Sequence, residues 1–251
     1  MLVHLTQSCS LGCPHCMQDA KPSNNHMSRE TAEKIADFCR ESGDFLITIS
    51  GGEPLEHPQA LELIHYFAYH FQLVTVCTNG IELLDKEFFA KYEKLPFNVA
   101  TQISTHRDFY TSYSRLKEFK SLEKKLAFCT VYDMDFARTD TYRISSQGRA
   151  INMQSQRKSP SCGNMILVAN QVSSWCSLIT EIRRKRYFCT PSVGFNGSVY
   201  LGESWLCESI GSINEDTDTL YRRTQNFRGC NGCADSKELL FRGLRQLGKV
   251  L

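Results

Sequence analysis

The chain has 251 residues, 12 cysteines and a nearly balanced charge, with 29 Lys and Arg against 27 Asp and Glu for a net +2. That length suits one large domain, or one domain with a small appendage, and the charge gives no bulk argument for nucleic acid or a membrane surface as partner. There is no run of eighteen apolar residues and no secretion signal at the N-terminus, so a cytoplasmic setting is expected, with the thiols serving as metal ligands or small hydrophobes rather than disulfides.

The first element is a short apolar run, Leu2-Val3-His4-Leu5, read as a strand that leads into a cysteine-rich loop. Residues 18 to 27 are polar and read as loop. Ser28 is placed to cap a helix from Arg29 to Arg40, ended by Gly43. Residues 45 to 49 predict a second strand, Pro58 opens a second helix, and 71 to 77 predict a third strand. The alternation continues with a helix over 84–94, a strand over 98–104, a helix over 114–123, a strand over 125–131 and a weaker one over 141–145. Strands alternating with helices imply parallel crossovers, and in such folds chemistry gathers at the carboxyl ends of strands. Periodicity alone leaves a barrel and a doubly wound sheet both open. Cys39 and Cys77, within a helix and a strand pattern, read as buried small hydrophobes. Near residue 146 the alternation stops in a polar stretch, which sets a boundary between Ser145 and Pro160 and divides the chain into 1–148 and 149–251.

Chemistry concentrates in the loop after the first strand, where Cys9, Cys13 and Cys16 stand at Cys-x3-Cys-x2-Cys spacing. Three thiolates on one compact loop can hold three irons of a [4Fe-4S] cluster and leave the fourth open to a ligand. Zinc is the alternative, although a zinc site normally takes four ligands. Two further segments follow strand-like runs: Ser50-Gly51-Gly52-Glu53-Pro54 and Thr78-Asn79-Gly80. With these three motifs in this order, the chain resembles the radical SAM superfamily. The resemblance implies a partial (β/α)6 TIM-type barrel, a [4Fe-4S] cluster on Cys9, Cys13 and Cys16, and S-adenosyl-L-methionine on its open iron. It also implies Gly51, Gly52 and Glu53 at the cofactor's amino group, with Asn79 and Ser104 as further cofactor contacts. His15 stands where the superfamily usually has an aromatic residue beside the adenine.

The later cysteines form a second pattern. Cys230-x2-Cys233 is a knuckle, and Cys189 and Cys207 enclose Phe195-Asn196-Gly197-Ser198, where Asn-Gly between apolar residues is a hairpin signal. Cys189, Gly202-x4-Cys207 and Cys230-x2-Cys233 resemble the twitch module of the SPASM/twitch subgroup, a small cysteine-rich unit of hairpin and helix. That resemblance implies an auxiliary [4Fe-4S] cluster on Cys189, Cys207, Cys230 and Cys233, with Cys162 or Cys176 as substitutes for Cys207. A structural zinc site is the competing reading.

The function implied is reductive cleavage of S-adenosylmethionine to a 5′-deoxyadenosyl radical, hydrogen abstraction, and oxidative modification of a peptide or small biosynthetic intermediate. The electron donor would be a flavodoxin or ferredoxin. No module that would grip a leader peptide precedes the first strand, which favours a small molecule or a separate recognition protein. Arg149 is a candidate for the cofactor carboxylate or substrate, and Cys129, Cys162 and Cys176 for hydrogen donation. Arg183-Arg184-Lys185-Arg186 reads as a solvated basic face. The rivals are a glycyl-radical activase or other compact radical SAM enzyme, and a non-catalytic iron-sulfur or zinc module; the last leaves the two glycine-containing motifs without a purpose.

Overall fold

Aliphatic and polar residues alternate along the strands, and this decides which side of the sheet the helices cover. A computed structural model of the protein describes residues 1–13, 16, 18–41, 45–105, 129–133, 144–145, 158–159, 191–202 and 204–226. Its strands β1 (Leu2–Thr6), β2 (Leu46–Gly51), β3 (Leu73–Thr78), β4 (Val99–Thr105) and β5 (Cys129–Asp133) are parallel and adjacent in chain order. Helices α1 (Arg29–Glu41), α2 (Ala60–His70) and α3 (Lys86–Tyr92) connect the first four. Val3, Leu5, Ile47, Ile49, Val74, Val76, Val99 and Ile103 share one core with Ile35, Phe38, Leu63, Phe67 and Tyr92 of these helices. The three helices therefore lie on one face, and the sheet winds in a single direction.

The other face carries Thr48, Ser50, Thr75, Cys77, Gln102 and Ser104, all partly exposed. Cys77 thus departs from the expected burial: Val74, Val76 and Thr78 take the covered positions of β3, and alternation turns Cys77 to the open side. Cys39, in α1, is fully buried as expected.

Boundaries follow local chemistry. The Ser28 hydroxyl accepts from the Thr31 amide at 3.1 Å and starts α1. Pro54 opens a single 3-10 turn, Pro54–Glu56, and α2 begins at Ala60, beyond Pro58. The reason is His57, whose ring nitrogen Nδ1 accepts from the Gln59 amide and whose carbonyl accepts from Ala60, both at 2.9 Å, holding the intervening residues in a turn. Asp85 caps α3 through the Phe88 amide at 2.7 Å, so α3 is shorter than its predicted span and follows a separate 3-10 turn, Glu82–Leu84.

A two-stranded parallel ladder, β6 (Ile144–Ser145) and β7 (Lys158–Ser159), stands apart from the main sheet. The Asn-Gly hairpin forms as read, between β8 (Pro191–Val193) and β9 (Ser198–Leu201), with Gly197 at φ +80° in the turn. β10 (Ser209–Ser212) and α4 (Thr217–Asn226) follow. β8 pairs in parallel with β1, so one eight-stranded sheet runs β10-β9-β8-β1-β2-β3-β4-β5. Val193, Val199, Ile210 and Leu220 belong to the same core as the first strands. The predicted helix over 114–123 and the basic run at 183–186 lie outside the described residues. The predicted strand over 125–131 is described from Cys129 onward.

Where β2 ends, its backbone crosses the backbone leaving β1. The Gly52 amide donates to the Thr6 carbonyl at 2.8 Å and the Glu53 amide to the Ser8 carbonyl at 2.7 Å. A Cβ on Gly52 would collide with the Ser8 carbonyl, and one on Gly51 with the Thr6 carbonyl. Gly52→Ala is accordingly expected to destabilise the apoprotein by about 3 kcal/mol or more, read as a lower midpoint in urea unfolding.

Candidate active site

Three loops meet at the carboxyl ends of β1, β2 and β3. Hydrogen bonds accepted by two glutamate carboxylates hold them together. Glu53 is 2% exposed. Its Oε1 accepts from the Leu55 amide at 3.0 Å and the Thr78 hydroxyl at 2.6 Å, and its Oε2 accepts from the Asn79 amide at 2.6 Å. The Thr78 hydroxyl in turn accepts from the Gly80 amide at 2.9 Å. Burial pushes the Glu53 carboxyl up to about 7, against the pull of those three donors. A carboxylate has roughly four lone-pair positions, and three donors leave one on Oε2.

The second glutamate, Glu56, reaches the cysteine loop. Its carboxylate accepts from the Ser10 amide at 2.9 and 3.1 Å and from the Ser10 hydroxyl at 2.7 Å, spanning 46 positions of chain. Ser10 follows Cys9, so this clamp sets the path of the loop between Cys9 and Cys13. On its other side the loop is pinned by the Cys9 amide to the Lys21 carbonyl at 3.3 Å and by the Ser23 amide to the Ser8 hydroxyl at 3.3 Å. The following segment is anchored as well: the Thr6 hydroxyl donates to the Asn25 carbonyl at 3.0 Å, and His57 Nε2 lies 2.9 Å from the Met27 carbonyl.

Cys9 is buried, and Cys13 and Cys16 are partly exposed within a turn closed by the Cys16 amide on the Cys13 carbonyl at 3.2 Å. Burial, with Glu56 and Glu53 nearby, pushes the Cys9 thiol up to about 12. Among the described residues no group of three His, Cys, Asp or Glu converges as a single-ion metal site. The arrangement fits a cluster whose thiols each take a separate iron: three cysteines on one clamped loop, beside glycines that admit no side chain and a buried carboxylate with one open acceptor position.

The other predicted residues divide. Gly51, Gly52, Glu53 and Asn79 are brought together with the cysteine loop. Asn79 makes a turn, its Oδ1 accepting from the Ile81 amide at 2.9 Å. Ser104 lies near the end of β4 on the open face. Cys207 is 7% exposed, with its amide on the Ser204 carbonyl at 3.0 Å. Cys129 occupies the first position of β5, in register with Thr101. His15, Arg149, Cys162, Cys176, Cys189, Cys230 and Cys233 lie outside the described residues. Thr78, Glu56 and Ser10 were not singled out from the sequence. Thr78 stands inside the quoted Thr-Asn-Gly motif, and Glu56 stands two residues after Pro54, but only the fold shows what each reaches.

Residues 3–119 match the profile of the radical SAM superfamily. That stretch, a little under half of the chain, is similar to the superfamily. Curated proteins it matches include a maturase and a GTP 3',8-cyclase, which are enzymes, and a [4Fe-4S] cluster and S-adenosylmethionine are the cofactors that the superfamily implies. Over 84 residues, 33% of this chain and 18% of the relative, it is 38% identical to the antilisterial bacteriocin subtilosin biosynthesis protein AlbA of Bacillus subtilis (strain 168). The chain spans less than two fifths of the length of the first curated relatives it matches. Among solved structures it resembles BtrN in complex with AdoMet and 2-DOIA, with TM-score 0.58 and 13% identity, over 98% of this chain and 88% of that one. It also resembles Streptococcus suis SuiB bound to precursor peptide SuiA, with TM-score 0.50 and 14% identity, over 94% and 68%. At those identities the likeness is one of fold: a mixed α/β architecture with a parallel sheet. No helix among the described residues is long and apolar enough to cross a membrane.

Two predictions follow from the glutamates. Glu56→Ala removes charge-assisted bonds worth about 1.5–3 kcal/mol each, so exchange of the Ser10 amide in the apoprotein should quicken about 10- to 100-fold. Iron retained per chain after reconstitution should fall, with Glu56→Gln intermediate. For Glu53 the folded protein holds its proton up to about 7 while the unfolded chain releases it near 4.5. Stability is therefore lost as pH rises between those values. Glu53→Gln should gain on the unmodified apoprotein by up to ~3 kcal/mol from pH 4.5 to 7, less the constant cost of the Asn79 bond, as seen in urea unfolding at several pH values.

Proposed function

We infer that the chain is a radical SAM enzyme that oxidatively modifies a peptide or a small biosynthetic intermediate, with an auxiliary [4Fe-4S] cluster assisting. The observation that carries this reading is the joining of the three motifs at one end of the sheet, with Glu53 bonded to Thr78 and Asn79 and Glu56 bonded to Ser10. In this reading Cys9, Cys13 and Cys16 would hold three irons of a [4Fe-4S] cluster. The remaining acceptor position on Glu53, with the Gly51 and Gly52 backbone, would hold the ammonium group of S-adenosylmethionine, and Glu53 would give up its proton to pair with it. In the same reading Asn79 and Ser104 would be further cofactor contacts, and His15 would meet the adenine.

When bound, cluster and S-adenosylmethionine supply a 5′-deoxyadenosyl radical that takes a hydrogen atom from substrate. The chain's own part is to position substrate on the open face of the sheet, which we take as the interior of a partial (β/α)6 barrel, and to exclude water there. Cys189, Cys207, Cys230 and Cys233 would ligate the auxiliary cluster of a twitch-like module over 149–251. Full thiolate ligation leaves that cluster without an open iron and suits it to accept the electron that an oxidative outcome releases. A flavodoxin or ferredoxin would supply electrons to the first cluster. A peptide substrate finds support in the fold shared with SuiB bound to its precursor peptide, and a small molecule in the fold shared with BtrN bound to 2-DOIA.

Anaerobic reconstitution tests the reading. About eight irons per chain are expected for two [4Fe-4S] clusters, and about four would remove the auxiliary one. With a reductant and S-adenosylmethionine the enzyme should form 5′-deoxyadenosine, and Cys13→Ala should reduce this to background. Unchanged turnover in that variant would refute the mechanism.

A further inference from the structure

Strand β1 carries a histidine that neither the core nor the cofactor motifs use. His4 is fully buried, and neither Nδ1 nor Nε2 has a hydrogen-bond partner. An unpaired buried polar atom costs about 1–3 kcal/mol, so two on one ring call for an explanation other than folding. Its neighbours Val3 and Leu5 enter the helix-side core. Alternation therefore aims His4 at the opposite face. There it stands in register with Ser50, and Thr6, two residues on, with Gly51. The imidazole thus lies directly beneath the loops that carry Cys9 and Glu53. Beyond Ser50 the same face of the sheet carries Thr48, Thr75, Cys77 and Gln102, each partly exposed. Trp205, partly exposed in the turn between β9 and β10, stands edge-on to it, with ring centroids 5.3 Å apart at 81°.

We propose that His4 is a substrate-binding residue whose imidazole receives a peptide-type amide, and that Trp205 covers it until that group arrives. Burial holds the His4 ring down at about 4, so it is neutral and presents one N–H donor and one lone-pair acceptor. A peptide backbone offers the complement of each, a carbonyl for the N–H and an amide N–H for the lone pair. A carboxylate or a fully ionised phosphate offers acceptors only and would leave the lone-pair nitrogen unpaired, whereas an amide satisfies both nitrogens. Both nitrogens are buried and without a partner, so an incoming amide does not compete with tightly held solvent there. This deepens the proposed function and rests on its reading of the open face as the substrate chamber. Within that reading it narrows the substrate to an amide-bearing one.

The test uses oxidised, reconstituted enzyme labelled with ¹⁵N in its histidine rings, titrated with N-methylacetamide, a single peptide bond, and separately with acetate. His4→Gln assigns the His4 signals. The expected result is a saturable shift of the His4 ring nitrogens with N-methylacetamide while the ring stays neutral, and no response to acetate. Alongside it, His4→Phe, which keeps a ring against Trp205, should unfold at a temperature no lower than the unmodified apoprotein. An absent amide response, conversion of His4 to imidazolium by acetate, or a clearly lower unfolding temperature for His4→Phe would each overturn the proposal. Failure of the radical reading shows elsewhere, as missing 5′-deoxyadenosine from the unmodified enzyme, and leaves the titration interpretable.

Discussion

The carboxylate of Glu53 is buried with three donors and no cation beside it among the described residues. Everything at the site end of the sheet depends on that arrangement. Its Thr78 and Asn79 bonds tie the end of β3 to the end of β2, and the Glu53 amide, with that of Gly52, ties β2 to the chain leaving β1. A buried carboxylate is tolerable when hydrogen-bonded and costly when not. The three donors offset much of the desolvation but not all of it, which is why its carboxyl stays raised at about 7. A site poised in this way gains when an ammonium approaches. The position that organises three loops is therefore also the position most responsive to a cationic ligand.

Glycine 51 and glycine 52 acquire a different meaning in this frame. The resemblance alone assigns them to the cofactor, as places where a backbone edge approaches the ligand. In the structure their first duty is to each other's strand: side chains there would strike the carbonyls of Thr6 and Ser8. The close crossing brings the buried carboxylate within reach of the cysteine loop, and Glu56, three residues along the same chain, completes the connection through Ser10. Loop placement by charged side chains, rather than by apolar packing, suits a loop whose thiols must be free to take irons.

Much of this was legible in the sequence because it is local or periodic. The first four strands, the α1 cap at Ser28 and the Asn-Gly hairpin each depend on residues within a few positions of one another, and each formed where read. Cys77 was misjudged because a run of apolar residues does not say which face each residue takes; only pairing to β4, Cys77 beside Gln102, fixes that. The beginning of α2 was misjudged because Pro58 is a strong local signal, and the His57 turn that overrides it depends on a ring held by Met27, thirty residues away. Glu56 and His4 were missed for a related reason: their significance lies in distant partners or in the lack of them, and no spacing rule reports either.

The hairpin's place in the sheet links the two halves of the chain. Without β8, β1 would be an edge strand, with a row of unpaired backbone groups beside the loop that carries Cys9. β8 pairs with β1 in parallel through Leu2–Ser192 and Val3–Val193, and β9 and β10 continue outward from it. β1 is thereby an interior strand, and His4 sits in the sheet with Trp205, from the β9–β10 turn, against its ring. The residues around Cys207 are thus coupled through the sheet to the strand that launches the cysteine loop. The parallel pairing of β8 with β1 joins the two directly at the level of backbone hydrogen bonds.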